Sequence, residues 1–193
     1  MEHMTNSTQT KSTGTVTGAL DPESSAELTL ERRDLLQTLA THREFLRTTA
    51  RDLTDEQAAH RSTVSALCIG GVIKHVAHTE SGWADFIVHG PSALAFSGEA
   101  DYAEHAASFR MEPGETLASI LERYDAVARR TDDLVATIPD LDRSHPLPEA
   151  PWFEPGASWS ARRAFLHIVA ETAQHAGHAD ILRESIDGSR TMG

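Results

Sequence analysis

Four side chains able to bind a metal lie at helical spacing near the C-terminal end of the sequence. They are His167, Glu171, His175 and His178, within the run LHIVAETAQHAGHADILRE. At about 100° per residue, these spacings place the four side chains within roughly 80° of arc on one helix. Imidazole nitrogens and carboxylates are ordinary ligands of divalent transition metals. The spacing therefore favours a polar stripe that could bind a metal ion.

That stripe lies along or beside the face that the same helix should bury. Apolar or small residues recur every three or four positions from Ala161 to Ile186, which predicts a core-facing seam. Burying a carboxylate among imidazoles costs several kcal/mol unless something offsets it, and a bound cation would do so. Because the chain holds 11 histidines, structural or surface roles for them are the alternative interpretation.

Long helices are needed to position these side chains, and the sequence carries four amphipathic segments while strand patterns are almost absent. Apolar residues recur every three or four positions in each segment, as in a helix with one buried face. The predicted helices cover residues 21–52, 69–90, 117–138 and 158–188. Ser158 and Ser160 are alternative N-caps for the last helix. Four such helices predict an all-α protein with the architecture of a four-helix bundle.

Short sequence motifs predict the structure of the segments outside the long helices. Residues 54–57 read Thr-Asp-Glu-Gln, a capping box that should open a short helix toward His60. Residues 91–113 and the proline-rich stretch 139–158 are predicted loops. Residues 1–22 are rich in Ser, Thr and Gly, so we expect a disordered tail followed by one domain over residues 23–193.

The formal net charge of -12 argues against nucleic acid as a partner, because a phosphate backbone would be repelled. No segment approaches about eighteen consecutive apolar residues, and the N-terminus lacks the apolar core of a signal peptide. We therefore expect a soluble, cytoplasmic protein that does not bind membranes, for which a homodimer is plausible. The single cysteine, Cys68, allows no internal disulfide and is expected to be buried rather than nucleophilic.

A further metal donor is predicted on the second long helix, in the segment GGVIKHVAHTESGW. His75 lies on the same face as Val72, Val76 and Thr79, and facing helices of a bundle can bring distant side chains to one metal. His78 competes for this role but points about 60° further round the helix. His75 with Glu171 and His175 would supply three protein ligands, which leaves a position open for water or substrate, as in catalytic zinc sites.

The other histidines stand among polar or loop residues, and we expect them at the surface. They are His42, His60, His89, His105 and His145. Trp83 and Trp159 are expected to pack in the core rather than stack on a ligand.

Two segments together resemble the signature of a known family. GGVIKHVAHTESGW and LHIVAETAQHAGHADILRESIDG are similar to the two signature segments of the DinB-like superfamily, specifically its mycothiol-transferase branch. The resemblance covers residues 28–188. It implies a DinB-like four-helix bundle whose metal is held by one His on the second helix and a His-x-x-x-His pair on the last long helix.

The family pattern carries over to this chain residue by residue. His75 matches the first ligand and His175 the last, whereas Glu171 stands where many relatives have His. The resulting His, Glu, His set resembles the zinc site of mycothiol-dependent maleylpyruvate isomerases. His167 and His178 also match the branch, and we assign them to ligand orientation or proton handling as candidate catalytic residues.

The resemblance also implies a chemistry. Members are thought to transfer the low-molecular-weight thiol mycothiol, or to use it as a cofactor, with a metal binding the sulfur. We therefore expect a thiol S-transferase that uses a divalent ion, mycothiol and a small electrophile. Zinc is favoured, while iron, nickel and, less well, manganese suit the same donors. The alternatives are a non-catalytic metal-binding stress protein and a metal-dependent hydrolase, in which His78 or His178 could be the general base.

Overall fold

The protein is built from four long helices, and its computed structural model describes Met1, residues 28–94 and residues 98–191. The helices are α1 Leu30–Thr49, α2 Asp55–Ala59, α3 Ile69–His89, α4 Glu99–Ser108, α5 Leu117–Thr137 and α6 Ala161–Asp187. A short 3-10 helix, Pro91–Leu94, follows α3. In the bundle, α1 packs on α6 and α5, and α3 packs on α5 and α6. The predicted all-α, four-helix architecture is confirmed.

Local sequence signals set most helix boundaries. Thr54 and Gln57 form the predicted capping box of α2, and the Ser160 hydroxyl accepts from the backbone N–H of Arg163 to cap α6. Ser158, the alternative cap, instead lies in a short strand. Gly90 ends α3 with a φ of 79°, a left-handed value that glycine adopts without steric cost. The predicted spans of α2, α3, α5 and α6 are therefore confirmed to within a few residues.

Two sequence predictions need correction, and a third falls on residues that the structure does not describe. The first helix begins at Leu30 with Thr29 as its N-cap, later than predicted. The predicted start at residues 21–23 lies outside the described residues, as does the expected tail apart from Met1. The stretch 139–158 is not wholly loop, because β1 Ser144–Pro146 pairs antiparallel with β2 Ser158–Ser160. Strands of three residues are too short to show a periodic pattern.

The predicted loop 91–113 contains α4, which matters for the site described below. The helix follows Gly98, whose backbone N–H donates to the Asp101 carboxylate at 3.2 Å. Its sequence EADYAEHAAS is rich in the strong helix formers Ala and Glu. It shows little apolar periodicity, so the pattern that identified the long helices could not find it.

The core consists of two apolar clusters separated by a polar layer. One cluster includes Leu46, Ala77 and Ala176, and the other includes Leu39, Trp83 and Ile168. Along each long helix, a buried polar residue lies between the members of the two clusters. These residues are Arg43 on α1, Glu80 on α3, Thr131 on α5 and Thr172 on α6.

An ion pair crosses this polar layer. The Arg43 guanidinium donates to both carboxylate oxygens of Glu80, with N–O distances of 2.5 and 3.3 Å, and to Asp132 at 2.7 Å. Arg43 and Glu80 are both almost fully buried. Leaving either charge unpaired would be costly, so we expect the pair to favour one register of α1 against α3.

Among the described helices, none combines the length and apolar character needed to cross a membrane.

Candidate metal centre

Two facing helices bring three potential metal ligands together. His75 comes from α3, and Glu171 and His175 come from successive turns of α6. One ligand atom from each lies within 4.8 Å of those of the other two. Within this cluster, His175 Nε2 lies 3.7 Å from Glu171 Oε2, and the two imidazole rings are 4.8 Å apart at their centroids. Both histidines are buried, and Glu171 is half-buried.

The protonation states of this cluster suit a cation. Burial, together with the positive charges that His175, His105 and His78 would carry, lowers the pKa of His75 to about 3. Burial also lowers the pKa of His175, although the Glu171 carboxylate opposes that effect. Both imidazoles are therefore neutral near pH 7, which is the form that donates a lone pair to a metal.

The distances between the donor atoms also suit a metal ion if the three side chains move slightly closer together. Zinc holds nitrogen and oxygen ligands at about 2.0–2.2 Å, so tetrahedral neighbours lie about 3.3–3.6 Å apart. The largest separation in the cluster is 4.8 Å, and binding would need the side chains to approach by about 1 Å.

His75, not His78, belongs to the cluster. The His75 side chain is buried and contacts α6 and the end of α4. His78, one turn further along α3, is exposed. The structure thus brings His75, and not His78, next to Glu171 and His175, and its role as a ligand stays a prediction.

Each of the two remaining histidines of the α6 stripe contacts one member of the cluster. His167 Nε2 lies 3.5 Å from Glu171 Oε1, and its ring packs edge-on against Trp83 and Trp159. His178 Nδ1 lies 3.4 Å from His175 Nδ1. His175 can thus turn Nδ1 toward His178 while Nε2 faces Glu171.

Sequence reasoning missed the residues that cover His75. Ser108 Oγ lies 3.0 Å from His75 Nδ1, and the Phe109 ring stacks on the imidazole at 3.8 Å. The His105 ring approaches the same imidazole edge-on at 5.3 Å. All three come from α4 or the residue after it, within the segment predicted as loop. The surface position expected for His105 is therefore wrong.

One signal in the sequence could have pointed to this cover. A Cβ at Gly71 would lie 2.0 Å from the carbonyl oxygen of Phe109, so only glycine allows this backbone to approach α3. The glycine pair Gly70–Gly71 in the first turn of α3 is that signal, because glycine in a helix costs stability and often has a packing reason.

The predicted positions of the other histidines, the tryptophans and Cys68 agree only in part with the structure. His60 and His89 are exposed as expected, and His42 is half-buried. His145 is also half-buried rather than at the surface, with its ring 5.8 Å from that of Phe86. The expected packing roles are confirmed, because Trp83 is buried and stacks on Trp159 at 4.7 Å, and Cys68 is buried.

A spacious cavity of about 420 Å³ lies elsewhere on the molecule, between α1 and α6. Leu30, Leu35, Leu166 and Val169 give it an apolar lining, and no ligand of the cluster borders it. Its position separates it from the chemistry that the histidines could perform.

Fold and site together define a helical bundle in which two facing helices present two imidazoles and a carboxylate. The sequence profile of the Mycothiol-S-transferase family matches residues 34–188. The chain therefore belongs to this family, within the DinB-like proteins.

Comparison of structures agrees at the level of the fold. The chain is similar to the conserved protein of locus from Enterococcus faecalis, with 13% sequence identity and a TM-score of 0.57, over 81% of this chain and 97% of that one. No curated protein matches the sequence significantly.

Proposed function

We propose that the protein is a metal-dependent S-transferase that uses mycothiol, with His75, Glu171 and His175 holding a divalent ion. The observation that carries the proposal is the convergence of these three donors, from two helices, to within 4.8 Å. Membership of the mycothiol S-transferase family supports the choice of thiol. Two imidazoles and one carboxylate suit zinc best, and also iron, nickel and, less well, manganese.

The charge of the donor set is matched to a thiol substrate. Two neutral imidazoles and one carboxylate offset only part of a divalent charge, so the loaded site keeps a net positive charge. A divalent cation held there would stabilise the thiolate form of mycothiol relative to the thiol, and the thiolate is the nucleophile. The cluster uses three protein donors, which leaves room for a sulfur ligand.

The reaction proposed is formation of a carbon–sulfur bond. The mycothiol sulfur attacks an electrophilic carbon of a small substrate, and the leaving group departs with the electron pair of the broken bond. The thiol proton passes to solvent or to a nearby base. His178 is exposed and lies beside His175, so we assign it to this proton transfer.

Orientation of the ligands is the role proposed for the outer histidines. His167 lies against the Glu171 carboxylate, and its ring packs edge-on against the stacked pair Trp83 and Trp159. His178 occupies the corresponding place beside His175. Such outer partners fix the direction and basicity of a ligand, and losing one costs about 10–100-fold in metal affinity or activity.

A conjugation assay tests the proposal. The full-length protein, loaded with zinc, is mixed with mycothiol and monochlorobimane, and formation of the fluorescent conjugate is followed. We expect a rate above the uncatalysed reaction that disappears after treatment with a chelator and returns with added metal. A protein that binds zinc but gives no excess conjugate with several electrophiles and metals would instead be a non-catalytic metal-binding protein.

A further inference from the structure

Ser108 lies at the end of α4, between two groups that compete for its hydroxyl. Its Oγ is 2.6 Å from the carbonyl oxygen of His105 and 3.0 Å from His75 Nδ1. A hydroxyl has one proton, and a carbonyl oxygen can only accept. The Ser108 hydroxyl proton is therefore donated to the backbone carbonyl of His105. The Ser108 oxygen then accepts a hydrogen bond from His75 Nδ1–H.

We infer that Ser108 is a positioning residue that holds His75 with its proton on Nδ1 and so keeps the Nε2 lone pair available to a metal. The inference rests on the metal site of the proposed function. In a neutral imidazole, the hydrogen bond at one nitrogen decides whether the other carries a proton.

The surroundings of Nε2 explain why this control is needed. Thr79 Oγ1 lies 3.4 Å from His75 Nε2, and a threonine hydroxyl can either donate or accept. With Ser108 in place, Nε2 has no proton and the Thr79 hydroxyl can only donate to it. Without Ser108, the imidazole could move its proton to Nε2 and donate to Thr79, and that form cannot ligate a metal through Nε2.

The contact between Ser108 and His75 is rigidly built. Both residues are buried, with exposed fractions of 4% each. Phe109 stacks on the imidazole with an angle of 20° between the planes, and the backbone of Phe109 is seated on Gly71. The ring of His75 is thus held in plane while Ser108 sets the position of its proton.

Two variants and a matched control separate this role from simple helix capping. Ser108→Ala removes the hydroxyl, and Ser108→Thr keeps it. Ser185→Ala is the control at an exposed position away from the cluster, because the Ser185 hydroxyl also donates to a carbonyl three residues earlier, that of Leu182, at 2.7 Å; it also contacts the Ser62 hydroxyl. This control removes a serine hydroxyl and its local helix bond without touching His75, so the proton and the zinc affinity of His75 should stay unchanged.

The first measurement uses the metal-free, full-length protein. Long-range proton–nitrogen NMR of the histidine side chains distinguishes the two neutral forms, and the signal of His75 is assigned by its absence in His75→Gln. We expect Nδ1–H in the wild type, Ser108→Thr and Ser185→Ala, and a shift toward Nε2–H in Ser108→Ala. A wild-type His75 protonated on Nε2, or a Ser108→Ala spectrum like that of the wild type, would overturn the inference.

The second measurement is zinc affinity in the same four proteins. Ser108→Ala should bind zinc about 10–100-fold more weakly, as for other outer partners of metal ligands, while Ser108→Thr and Ser185→Ala should stay near the wild type. Equal losses in Ser108→Ala and Ser185→Ala would point to general destabilisation and contradict the inference. If Ser108→Ala does not fold, Ser108→Cys takes its place, since a thiol is a poor acceptor.

The two measurements distinguish failure of this inference from failure of the proposed function. If the wild type binds no zinc, yet the proton of His75 moves in Ser108→Ala, then Ser108 positions the imidazole and the metal-dependent function is wrong. If zinc binds but the proton of His75 does not respond, the function survives and the role of Ser108 is wrong.

Discussion

His75, Glu171 and His175, from one turn of α3 and two turns of α6, form the cluster in which we propose that a metal binds. Glu171 differs from its two partners because it is the one charged donor and is half-exposed, whereas the histidines are buried and neutral. Helical spacing was sufficient to predict that Glu171 and His175 share a face. It could not reveal Ser108, because that contact joins residues 33 positions apart in the chain.

Replacing Glu171 should weaken metal binding more than any other single change of charge on α6. Glu171→Gln keeps the size of the side chain but removes its charge, and we expect zinc affinity to fall by more than about tenfold, the lower limit for outer partners. Competition with a chromophoric chelator measures this affinity. Glu184→Gln is the control, since Glu184 is exposed on the same helix and pairs only loosely with Arg190 at 3.6 Å. Equal affinities for both variants would remove Glu171 from the site.

At the scale of elements, α4 is a short helix that places Ser108 and Phe109 over His75 of α3. The residue after α4, Phe109, packs its backbone against Gly71, where the missing side chain leaves room. Amphipathic periodicity predicted α3, α5 and α6 well, because each is long and buries one face. The same reasoning failed for α4, whose 10 residues are mostly polar or small and are ordered through contacts with α3.

A side chain at position 71 should disrupt this seating. Gly71→Ala places a Cβ against backbone atoms that cannot rotate away, and we expect a loss of about 1–3 kcal/mol in the free energy of unfolding. Zinc affinity should fall as well, because Ser108 and Phe109 would move. Urea denaturation gives the stability.

A second glycine of the same helix provides the control. A Cβ at Gly82 would meet Leu94 at an ordinary 3.5 Å, so Gly82→Ala should be neutral or stabilising by up to about 1 kcal/mol through helix propensity. If both substitutions have the same effect, close approach of Phe109 does not determine the position of α4.

At the scale of the whole molecule, the bundle contains a buried charged pair, Arg43 with Glu80, between its two apolar clusters. Composition and periodicity predicted the architecture, since four amphipathic helices have few other ways to bury their faces. They did not predict the pairing of Arg43 with Glu80. Arg43 lies at core spacing between Leu39 and Leu46, but only the packed structure shows which carboxylate compensates it.

Breaking this pair should cost far more than breaking an exposed one. Glu80→Ala leaves the buried Arg43 guanidinium without its main partner, and we expect a loss of about 3–5 kcal/mol in the free energy of unfolding. Glu44→Ala, which removes an exposed partner of Arg51 at 3.4 Å, should cost about 0–1 kcal/mol. Thermal and urea unfolding of both variants measure the difference, and similar losses would show that the buried pair does not fix the bundle.

The central claim is that one divalent ion, held by His75, Glu171 and His175, enables thiol transfer. Its most direct test is a titration of the metal-free, full-length protein with zinc, in which bound zinc and the rate of mycothiol conjugation are measured in the same samples. We predict that the rate rises in proportion to bound zinc and levels off at a single ion per chain, and that His75→Ala shows neither. A rate that is unchanged in the metal-free protein, or zinc binding that persists in His75→Ala, would contradict the claim.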